Sequence, residues 1–552
     1  MASRFNNRLS DGKFGKVSQI NTSHTKERLP KAINSWRKTA RVEFEPPPKV
    51  PKLVNTRTVT EQRKIEENMP HGARIIDIDV LKGKLQKCQF CLKGPISLAN
   101  IIDEKQYGLA SQFRVKCQFC SKQNIINTSA SHKSGKSGPK AYDINSKATL
   151  ASLHAGIGET HLKSILSVMN IPPMSRASFK ARERGTGKAV EAVAKVSCEE
   201  TIANEKKQLI RIGEEPDENN LVSVPCSYDM GWQKRGKGFN SNTGQAATMS
   251  QTTGKIFDYA TKVKKCRTCE YAQRTSTNAK VHDCRKNHTG SSKAMEPISA
   301  VELFKNAPKH GIKYSTYTGD DDSTTELYIN QQVPYGVEKF SDIIHIKRSL
   351  TTRLYNLSKM AQIKECSSLS SKVIEYLVKC FSIVVAQNKS DLEAMKSSLK
   401  CIVLHSFGDH ASCNESWCRY KQDPIAIGKD LYGTALKSAL KNIFSQYYSD
   451  TMIKKLGPAA NSQRNESFNS TVGSKNPKIR YYGGSESNDF RVACAVAQTN
   501  VGYGYVCCTF KALGIDPGLN CTKYTCKMEK KKSKDIDRKK LNFIQAAQKS
   551  TS

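Results

Sequence analysis

The sequence SYDMGWQKRG at residues 227–236 combines a single carboxylate, Asp229, with basic residues that follow it at once. The preceding residues, LVSVPC at 221–226, are apolar and β-branched at alternate places, which predicts a strand despite the proline. Asp229 is therefore expected at the end of a buried strand. A carboxylate in that position suits a divalent cation that contacts phosphate oxygens, and a polar strand end capped by a turn is the alternative. The basic residues are Lys234, Arg235 and Lys237.

The composition of the chain indicates a polyanionic partner. Its 552 residues include 88 Lys and Arg against 50 Asp and Glu, a formal net charge of +38. Nucleic acid is the default partner for such an excess. A membrane surface is the weaker alternative, and no membrane span is expected, because no apolar run approaches the roughly 18 residues that a span needs. The start of the sequence lacks a signal-peptide pattern, so we expect the 19 cysteines to be reduced and to bind metal rather than form disulfides.

Cysteine pairs at two-residue gaps predict two structural zinc sites. The first would lie in a small β-rich ribbon at residues 76–135 and could contact DNA or protein; its ligands are Cys88, Cys91, Cys117 and Cys120. The second would be a knuckle within residues 266–288, in which His288 could replace His282. Its predicted ligands are Cys266, Cys269, His282 and Cys284.

A third Cys/His group has looser spacing and leaves zinc binding and ordinary packing both open. It lies among predicted helices at residues 346–450, near His405 and Trp417. Its candidate zinc ligands are His410, Cys413 and Cys418.

The remaining sequence divides into segments of different composition. Residues 1–75 are polar and basic and predict a disordered arm. Residues 136–215 predict one helix at 154–169 and a longer one at about 178–210, which could enter a DNA groove or simply pack as a hairpin. Residues 501–552 form a basic C-terminal tail, whose lysine clusters predict nuclear import or DNA tethering, with a solvated charge run as the alternative. The predicted core is residues 216–500, where strands at 245–249, 255–262 and 337–345 follow that of Asp229.

Two further acidic stretches could join Asp229. GDDDSTT at residues 319–325 follows a predicted strand at 312–317. Adjacent carboxylates repel one another, so burying them without a cation would be costly; an acidic turn or helix cap is the alternative. NESFN at residues 465–469 opens a predicted helix, where Glu466 alone would be an ordinary first-turn acid.

These motifs together closely resemble the Mutator-like DDE transposases, in particular the broad group found in animal genomes. The resemblance rests on SYDMGWQKRG, on the Cys-x2-Cys…His-x-Cys block followed by GSSKAME at 290–296, on GDDDS and on NESFNS. Asp342-x2-His345 resembles the Asp/Cys-x2-His signature between the second and third acids of such enzymes. CQFCLKGP at 88–95 and HAGIG at 154–158 resemble the amino-terminal region of the group. The likeness covers about residues 81–513.

The resemblance implies an α/β fold: an RNase H-like mixed sheet core with a helical insertion, preceded by a small zinc ribbon and a helical region. It also implies catalytic residues and cofactors. Mg²⁺ or Mn²⁺ would bind at the acids, and Zn²⁺ would be structural. Asp322 is a rival or helper for Asp320, and His345 could orient water or phosphate or could pack in the core. Lys234, Arg235 and Lys237 would contact the DNA backbone. The implied catalytic acids are Asp229, Asp320 and Glu466.

The function that the resemblance implies is DNA transposition in the nucleus. The protein would bind transposon terminal inverted repeats and target DNA, and would catalyse metal-dependent strand cleavage and strand transfer as a homo-oligomer. Two alternatives stay open: a domesticated nuclear zinc-containing DNA-binding protein without transposition activity, and a zinc-ribbon adaptor whose partner is a protein.

Overall fold

The described part of the chain belongs to one unit, Asn68–Ser552, in this computed structural model. The predicted basic arm at residues 1–75 lies almost wholly outside the described residues. The same is true of Lys234, Arg235, Lys237 and Trp417. The residues that the structure describes are 70–133, 135, 139–233, 241–320, 322–415, 418–423 and 431–551.

The amino-terminal ribbon is a three-stranded antiparallel sheet in the order β1-β2-β3, preceded by one short helix. Alternate side chains of its strands, including Phe113, Val115 and Ile126, are buried with the thiols of Cys88 and Cys117. A core this small depends on what the thiols bind. The elements are α1 (Ile78–Leu85), β1 (Ile101–Tyr107), β2 (Ala110–Lys116) and β3 (Gln123–Asn127).

Three helices connect the ribbon to the core. The helix predicted to start at His154 instead begins at Glu159, because the preceding helix ends at His154 and Gly156 adopts a φ of 70° between them. Such a φ favours glycine and interrupts the helix. A short antiparallel pair precedes these helices: β4 (Ser131–His132) and β5 (Ala141–Tyr142). The helices are α2 (Asp143–His154), α3 (Glu159–Val168) and α4 (Arg176–Arg211).

The central sheet has five strands in the order β10-β9-β6-β7-β8. Strands β6, β7 and β8 are antiparallel neighbours, whereas β9 runs parallel to β6, and β10 parallel to β9. This order and these directions are those of an RNase H-like sheet, so the predicted fold class is confirmed. The strands are β6 (Val222–Trp232), β7 (Thr243–Ser250), β8 (Ile256–Val263), β9 (Ile312–Gly319) and β10 (Glu338–Ser341).

Strand β6 extends further than the sequence predicted, so Asp229 lies inside it rather than at its end. The strand continues because β7 remains available as a partner: Asp229 pairs with Ala247, and Trp232 with Gly244. On the other side, pairing with β9 stops at Ser227 and Thr318. Asp229 therefore lies just beyond the level at which β9 ends.

Apolar clusters cover both faces of the sheet. Helix α6 packs on one face, where Phe304 contacts the aromatic rings of Tyr314 and Tyr317. Helices α4 and α15 pack on the other face, where Val190 and Phe490 are fully buried. The helices between β8 and β10 are α5 (Arg267–Arg274), α6 (Met295–Asn306) and α7 (Ser323–Gln332). Those after the insertion are α14 (Gln463–Lys475), α15 (Ser487–Val501), α16 (Tyr505–Ala512) and α17 (Leu519–Thr551).

The helical insertion lies between β10 and α14 and has its own apolar core. Leu350, Phe381, Leu399 and Phe444 are fully buried there. The strand predicted at residues 337–345 is shorter than expected, because Asp342 caps a helix that starts at the next residue. The helices are α8 (Ile343–Leu357), α9 (Ser371–Gln387), α10 (Leu392–His405), α11 (Arg419–Gln422), α12 (Thr434–Ser445) and α13 (Asp450–Leu456).

The core continues past the boundary expected at residue 500. Tyr505, Phe510 and Ile515 are buried in the same cluster as α15, because the polar sequence of this region also contains enough apolar side chains to cover that helix. The lysine-rich segment that follows is part of α17, a helix of 33 residues. Among the described residues, no helix is long and apolar enough to cross a membrane.

Close packing of α4 against α15 predicts opposite effects for two neighbouring glycines. A Cβ on Gly187 would lie 2.2 Å from the ring of Phe490, so Gly187→Ala should destabilise the fold by about 1–3 kcal/mol. Gly185 has no described heavy atom within 4 Å of its Cβ position, so Gly185→Ala should stabilise it by up to about 1 kcal/mol. Chemical denaturation measures both. Equal effects of the two changes would contradict this helix contact.

Candidate active site and metal centres

Carboxylates from three separate elements converge at the end of β9. Asp229 comes from β6, Asp320 directly follows β9, and Glu466 lies in the first turn of α14. His345, from the first turn of α8, lies between two of them. Its Nδ1 is 3.2 Å from Asp320 Oδ1, and its Nε2 is 3.9 Å from Glu466 Oε1. The structure thus brings together all four residues expected to be catalytic.

Asn469 holds Asp229 beside the helix that carries Glu466. Its Nδ2 donates a hydrogen bond of 2.6 Å to Asp229 Oδ2. Asn469 and Glu466 are three residues apart on α14 and therefore share a helix face. In the sequence Asn469 is one residue of the NESFN motif, and its position one turn after Glu466 is the signal that could have identified it as a partner of the acids.

The carboxylates of the site repel one another. Burial, and then the carboxylate of Asp320, raise the pKa of Asp229 to about 6. Burial also raises the pKa of Asp320; Asp342 and Glu466 act in the same direction, and His345 opposes them. A bound cation would relieve this repulsion, and carboxylates are the ligands that Mg²⁺ prefers. The donor set therefore fits a hard divalent cation.

Asp320 and Asp322 have different surroundings, and the sequence left open which of them is the second acid. Asp322 caps α7: it accepts hydrogen bonds from Thr324 N at 3.3 Å, from Thr325 N at 3.0 Å and from Thr325 Oγ1 at 2.8 Å. Although burial opposes ionisation, these bonds hold the pKa of Asp322 below its usual value. Both of its oxygens are engaged in the cap, so the geometry favours Asp320 as the second acid.

Asp342 joins the helix of His345 to the loop before Glu466. Its buried carboxylate accepts a hydrogen bond from Ile344 N at 2.7 Å through Oδ1. Its Oδ2 accepts from Ser462 Oγ at 2.5 Å and from Ser462 N at 3.2 Å. Asp320, Asp342 and His345 offer ligand atoms within 4.8 Å of one another, but both oxygens of Asp342 already have donors. We therefore assign Asp342 a positioning role.

Two other ionisable residues at the site, Glu296 and Arg348, were not predicted from the sequence. Burial, and then Asp229 and Asp320, raise the pKa of Glu296 on α6 to about 8. Tyr228, next to Asp229, donates its hydroxyl proton to the backbone oxygen of Glu296 at 2.6 Å. On the open side, Arg348 Nη1 lies 3.5 Å from Glu466 Oε1 and is largely exposed. No simple spacing rule connects these residues to the acids.

The ribbon brings its four predicted cysteines together. Cys88 Sγ lies 3.7 Å from Cys120 Sγ, and Cys91 Sγ lies 3.8 Å from Cys117 Sγ. Ligands at about 2.3 Å from zinc in a tetrahedron are separated by about 3.8 Å. The four thiols therefore have the spacing that a tetrahedral metal ion requires.

The second group contains His282 rather than His288. His282 Nε2 lies 3.2 Å from Cys266 Sγ and 3.5 Å from Cys269 Sγ, and Cys284 Sγ lies 3.7 Å from Cys269 Sγ. The Nδ1 of His282 is 2.6 Å from the Lys280 carbonyl, an arrangement common for ligating histidines. His288 instead is buried and contacts the carbonyl of Ser291.

The third group gains a fourth member, His405, at the end of α10. Its Nδ1 lies 3.0 Å from His410 Nδ1, 3.4 Å from Cys413 Sγ and 3.8 Å from Cys418 Sγ. All four ligand atoms fall within 4.8 Å of one another. The sequence placed His405 near this group but only the other three among its candidate ligands, although the four residues between His405 and His410 fit a common histidine spacing of zinc sites.

The sheet order and the convergent carboxylates place this protein among the RNase H-like proteins. The chain belongs to the Mutator-like transposase family, whose family model matches residues 72–418. The matched range includes Asp229, Asp320 and His345 and ends before Glu466. No curated protein shows significant similarity to the chain.

Neutralising Asp229 should stabilise the protein in buffer without Mg²⁺ or Mn²⁺. Its pKa rises from about 3.9 for a free aspartate to about 6 in the fold. Ionisation therefore lowers stability as the pH rises through this range. Asp229→Asn, which keeps an acceptor for Asn469, should raise stability by about 1–2 kcal/mol at pH 8 and by less near pH 4.5.

Thermal unfolding at both pH values measures this difference. Mg²⁺ should raise the midpoint temperature of the wild-type protein at pH 8 more than that of the variant. The control is Asp537→Asn, at an exposed acid of α17, which should change neither value. A variant that is no more stable than wild type at pH 8 would show that ionisation of Asp229 does not destabilise the fold.

Proposed function

We propose that this protein is a DNA transposase of the Mutator-like DDE type. It binds transposon ends and catalyses strand cleavage and strand transfer into target DNA. Membership of the Mutator-like transposase family supports a transposase-type function. The observation that carries the catalytic proposal is the contact of His345 with both Asp320 and Glu466 beside Asp229, across three elements of an RNase H-like sheet.

Asp229, Asp320 and Glu466 would hold Mg²⁺ or Mn²⁺ in this proposal. When bound, the cation supplies Lewis-acid stabilisation of the scissile phosphate and activation of the attacking hydroxyl group. The side chains around the acids orient them. His345 lies between Asp320 and Glu466, and Asn469 donates a hydrogen bond to the carboxylate of Asp229.

DNA is the proposed partner because the excess of basic residues neutralises phosphates. Arg348 is largely exposed beside Glu466 and is suited to contact the backbone of a bound strand. Lys234, Arg235 and Lys237 follow the strand of Asp229 in sequence, and we propose the same contact for them. Assembly as a homo-oligomer and nuclear localisation are part of the proposal. The alternative of a domesticated binding protein is not favoured, since the complete set of acids is present.

We further propose that the three Cys/His groups hold structural zinc. Each offers four ligands of the types that zinc prefers, at separations that suit a tetrahedron. The domain division is proposed on the same basis: a zinc ribbon at residues 76–135, then a helical region and an RNase H-like core that contains the knuckle and the insertion. The core extends to Ile515 rather than to residue 500.

Removing a catalytic acid should abolish cleavage and leave DNA binding intact. Asp229→Asn and Glu466→Gln should each lower the rate of Mg²⁺-dependent cleavage on the order of 10³-fold or more, because each removes a negatively charged metal ligand. The substrate is duplex DNA that carries the sequences flanking the coding region, where this proposal expects inverted repeats. Gel-based cleavage and binding assays give both quantities.

Glu393→Gln is the matched control for Glu466→Gln, because Glu393 is an exposed acid of the insertion. Its cleavage rate should equal that of wild type. Wild-type cleavage by Glu466→Gln would remove Glu466 from the metal site and leave the proposed mechanism without its third acid.

The zinc proposal predicts three zinc ions per chain, one for each group. His405→Ala should lower the zinc content to two, since three ligands in an open loop hold zinc less tightly than four. Cys401→Ala is the control: Cys401 is buried beside this group, but its thiol contacts the Ser412 carbonyl. Elemental analysis of the purified protein measures the content. Retention of three zinc ions by His405→Ala would exclude His405 as a ligand.

A further inference from the structure

The ribbon repeats one tetrapeptide, CQFC, at residues 88–91 and 117–120. In each copy the phenylalanine contributes its backbone to the knuckle. Phe90 N donates to Cys88 Sγ at 3.4 Å, and Phe119 N donates to Cys117 Sγ at 3.3 Å. Any residue other than proline could make these bonds. The zinc site therefore does not explain why both positions carry an aromatic ring.

Both phenyl rings are exposed and belong to adjacent knuckles. Phe90 is 55% exposed and Phe119 is 52% exposed, and neither takes part in the apolar core of the ribbon. The knuckles are adjacent because Cys88 Sγ lies 3.7 Å from Cys120 Sγ. We call the surface formed by Phe90, Phe119, Lys93 and Lys122 the knuckle surface.

The charge of the knuckle surface is positive. Lys93 and Lys122 are exposed, one on each knuckle, and Lys122 Nζ lies 5.3 Å from the centroid of the Phe90 ring. The knuckle segments, residues 85–102 and 114–127, contain no aspartate or glutamate. Aromatic rings flanked by cations, with no anion in the same segments, complement a partner that combines planar rings with phosphates.

We propose that the knuckle surface binds single-stranded DNA. The two phenyl rings stack on unpaired bases, and Lys93 and Lys122 contact the phosphates between them. Duplex DNA suits this surface less well, because its bases are already stacked and a phenyl ring offers no hydrogen bond to a base edge. The inference rests on the proposed function, since strand cleavage at a transposon end produces free strands that the complex must retain.

The test compares single-stranded and duplex DNA of the same sequence, about 16 nucleotides long, with the full zinc-loaded chain. Fluorescence anisotropy of labelled DNA gives the affinities. The double variant Phe90→Ala/Phe119→Ala should bind single strands at least tenfold more weakly, since each lost stacking contact costs a large factor. Its affinity for the duplex should change less than about threefold. Its zinc content and unfolding midpoint should equal those of wild type, because both rings lie outside the core.

The matched control is Ile102→Ala/Ile125→Ala, which truncates two exposed apolar residues on the strands of the same ribbon. It should leave both affinities unchanged. A second variant, Lys93→Gln/Lys122→Gln, should reduce the slope of log affinity against log salt for single strands by about 1.4. This measurement tests the phosphate contacts independently of the rings.

The inference is overturned if the phenylalanine variant binds single strands like wild type, or if it loses duplex affinity to the same extent. A partner protein on this surface would give the first of these results. The outcome remains separate from that of the proposed function. If the wild-type protein binds and cleaves DNA while the phenylalanine variant keeps its single-strand affinity, only the knuckle surface is wrongly assigned. If the wild-type protein neither binds nor cleaves DNA, the proposed function itself fails.

Discussion

The arrangement of the acids depends on the hydrogen bonds of one buried carboxylate, that of Asp342. Three carboxylates brought to one place repel each other, so the scaffold must hold them there. Asp342 begins α8 through Ile344 N and binds Ser462, which immediately precedes α14. The backbone adds a parallel bond from Ile343 N to Ala460 O at 3.1 Å. His345 and Glu466 are therefore fixed to each other before any cation binds.

The second Cys/His group provides a further restraint at the opposite end of α14. The backbone N–H of Arg267, next to Cys266, donates to Gly484 O at 3.0 Å, and its guanidinium donates to Tyr481 O at 3.2 Å. Both acceptors lie in the loop between α14 and α15. Arg285, next to Cys284, pairs with Glu191 of α4 and Asp489 of α15. The second Cys/His group thus connects α4, α15 and the loop that follows α14.

The sequence predicted those features that local patterns encode. Hydrophobic alternation and turn residues identify strands β7, β8 and β9 and the course of α4. Two-residue gaps identify the cysteines of the ribbon, because a knuckle is a local structure. The extension of β6 beyond residue 226 was missed, since its ladder depends on β7, and the start of α8 was missed, since it depends on a cap by Asp342. Glu296 joins the acids only through tertiary packing.

Asp229, Asp320 and Glu466 were grouped by resemblance and not by any local pattern, and the reason lies in the insertion between the last two. Its helices pack into their own core, so its interior can vary without moving the acids. Its first and last residues cannot vary in this way, because the side chains of Asp342 and Ser462 are hydrogen-bonded to each other where the insertion joins the core. Lys455, near the end of the insertion, makes a second connection to the core: its Nζ donates hydrogen bonds of 2.8 Å to both carboxylate oxygens of Glu326 in α7. The separation of Asp320 and Glu466 in space is thus independent of their separation in sequence, which explains why spacing alone is uninformative for a third acid that follows an insertion.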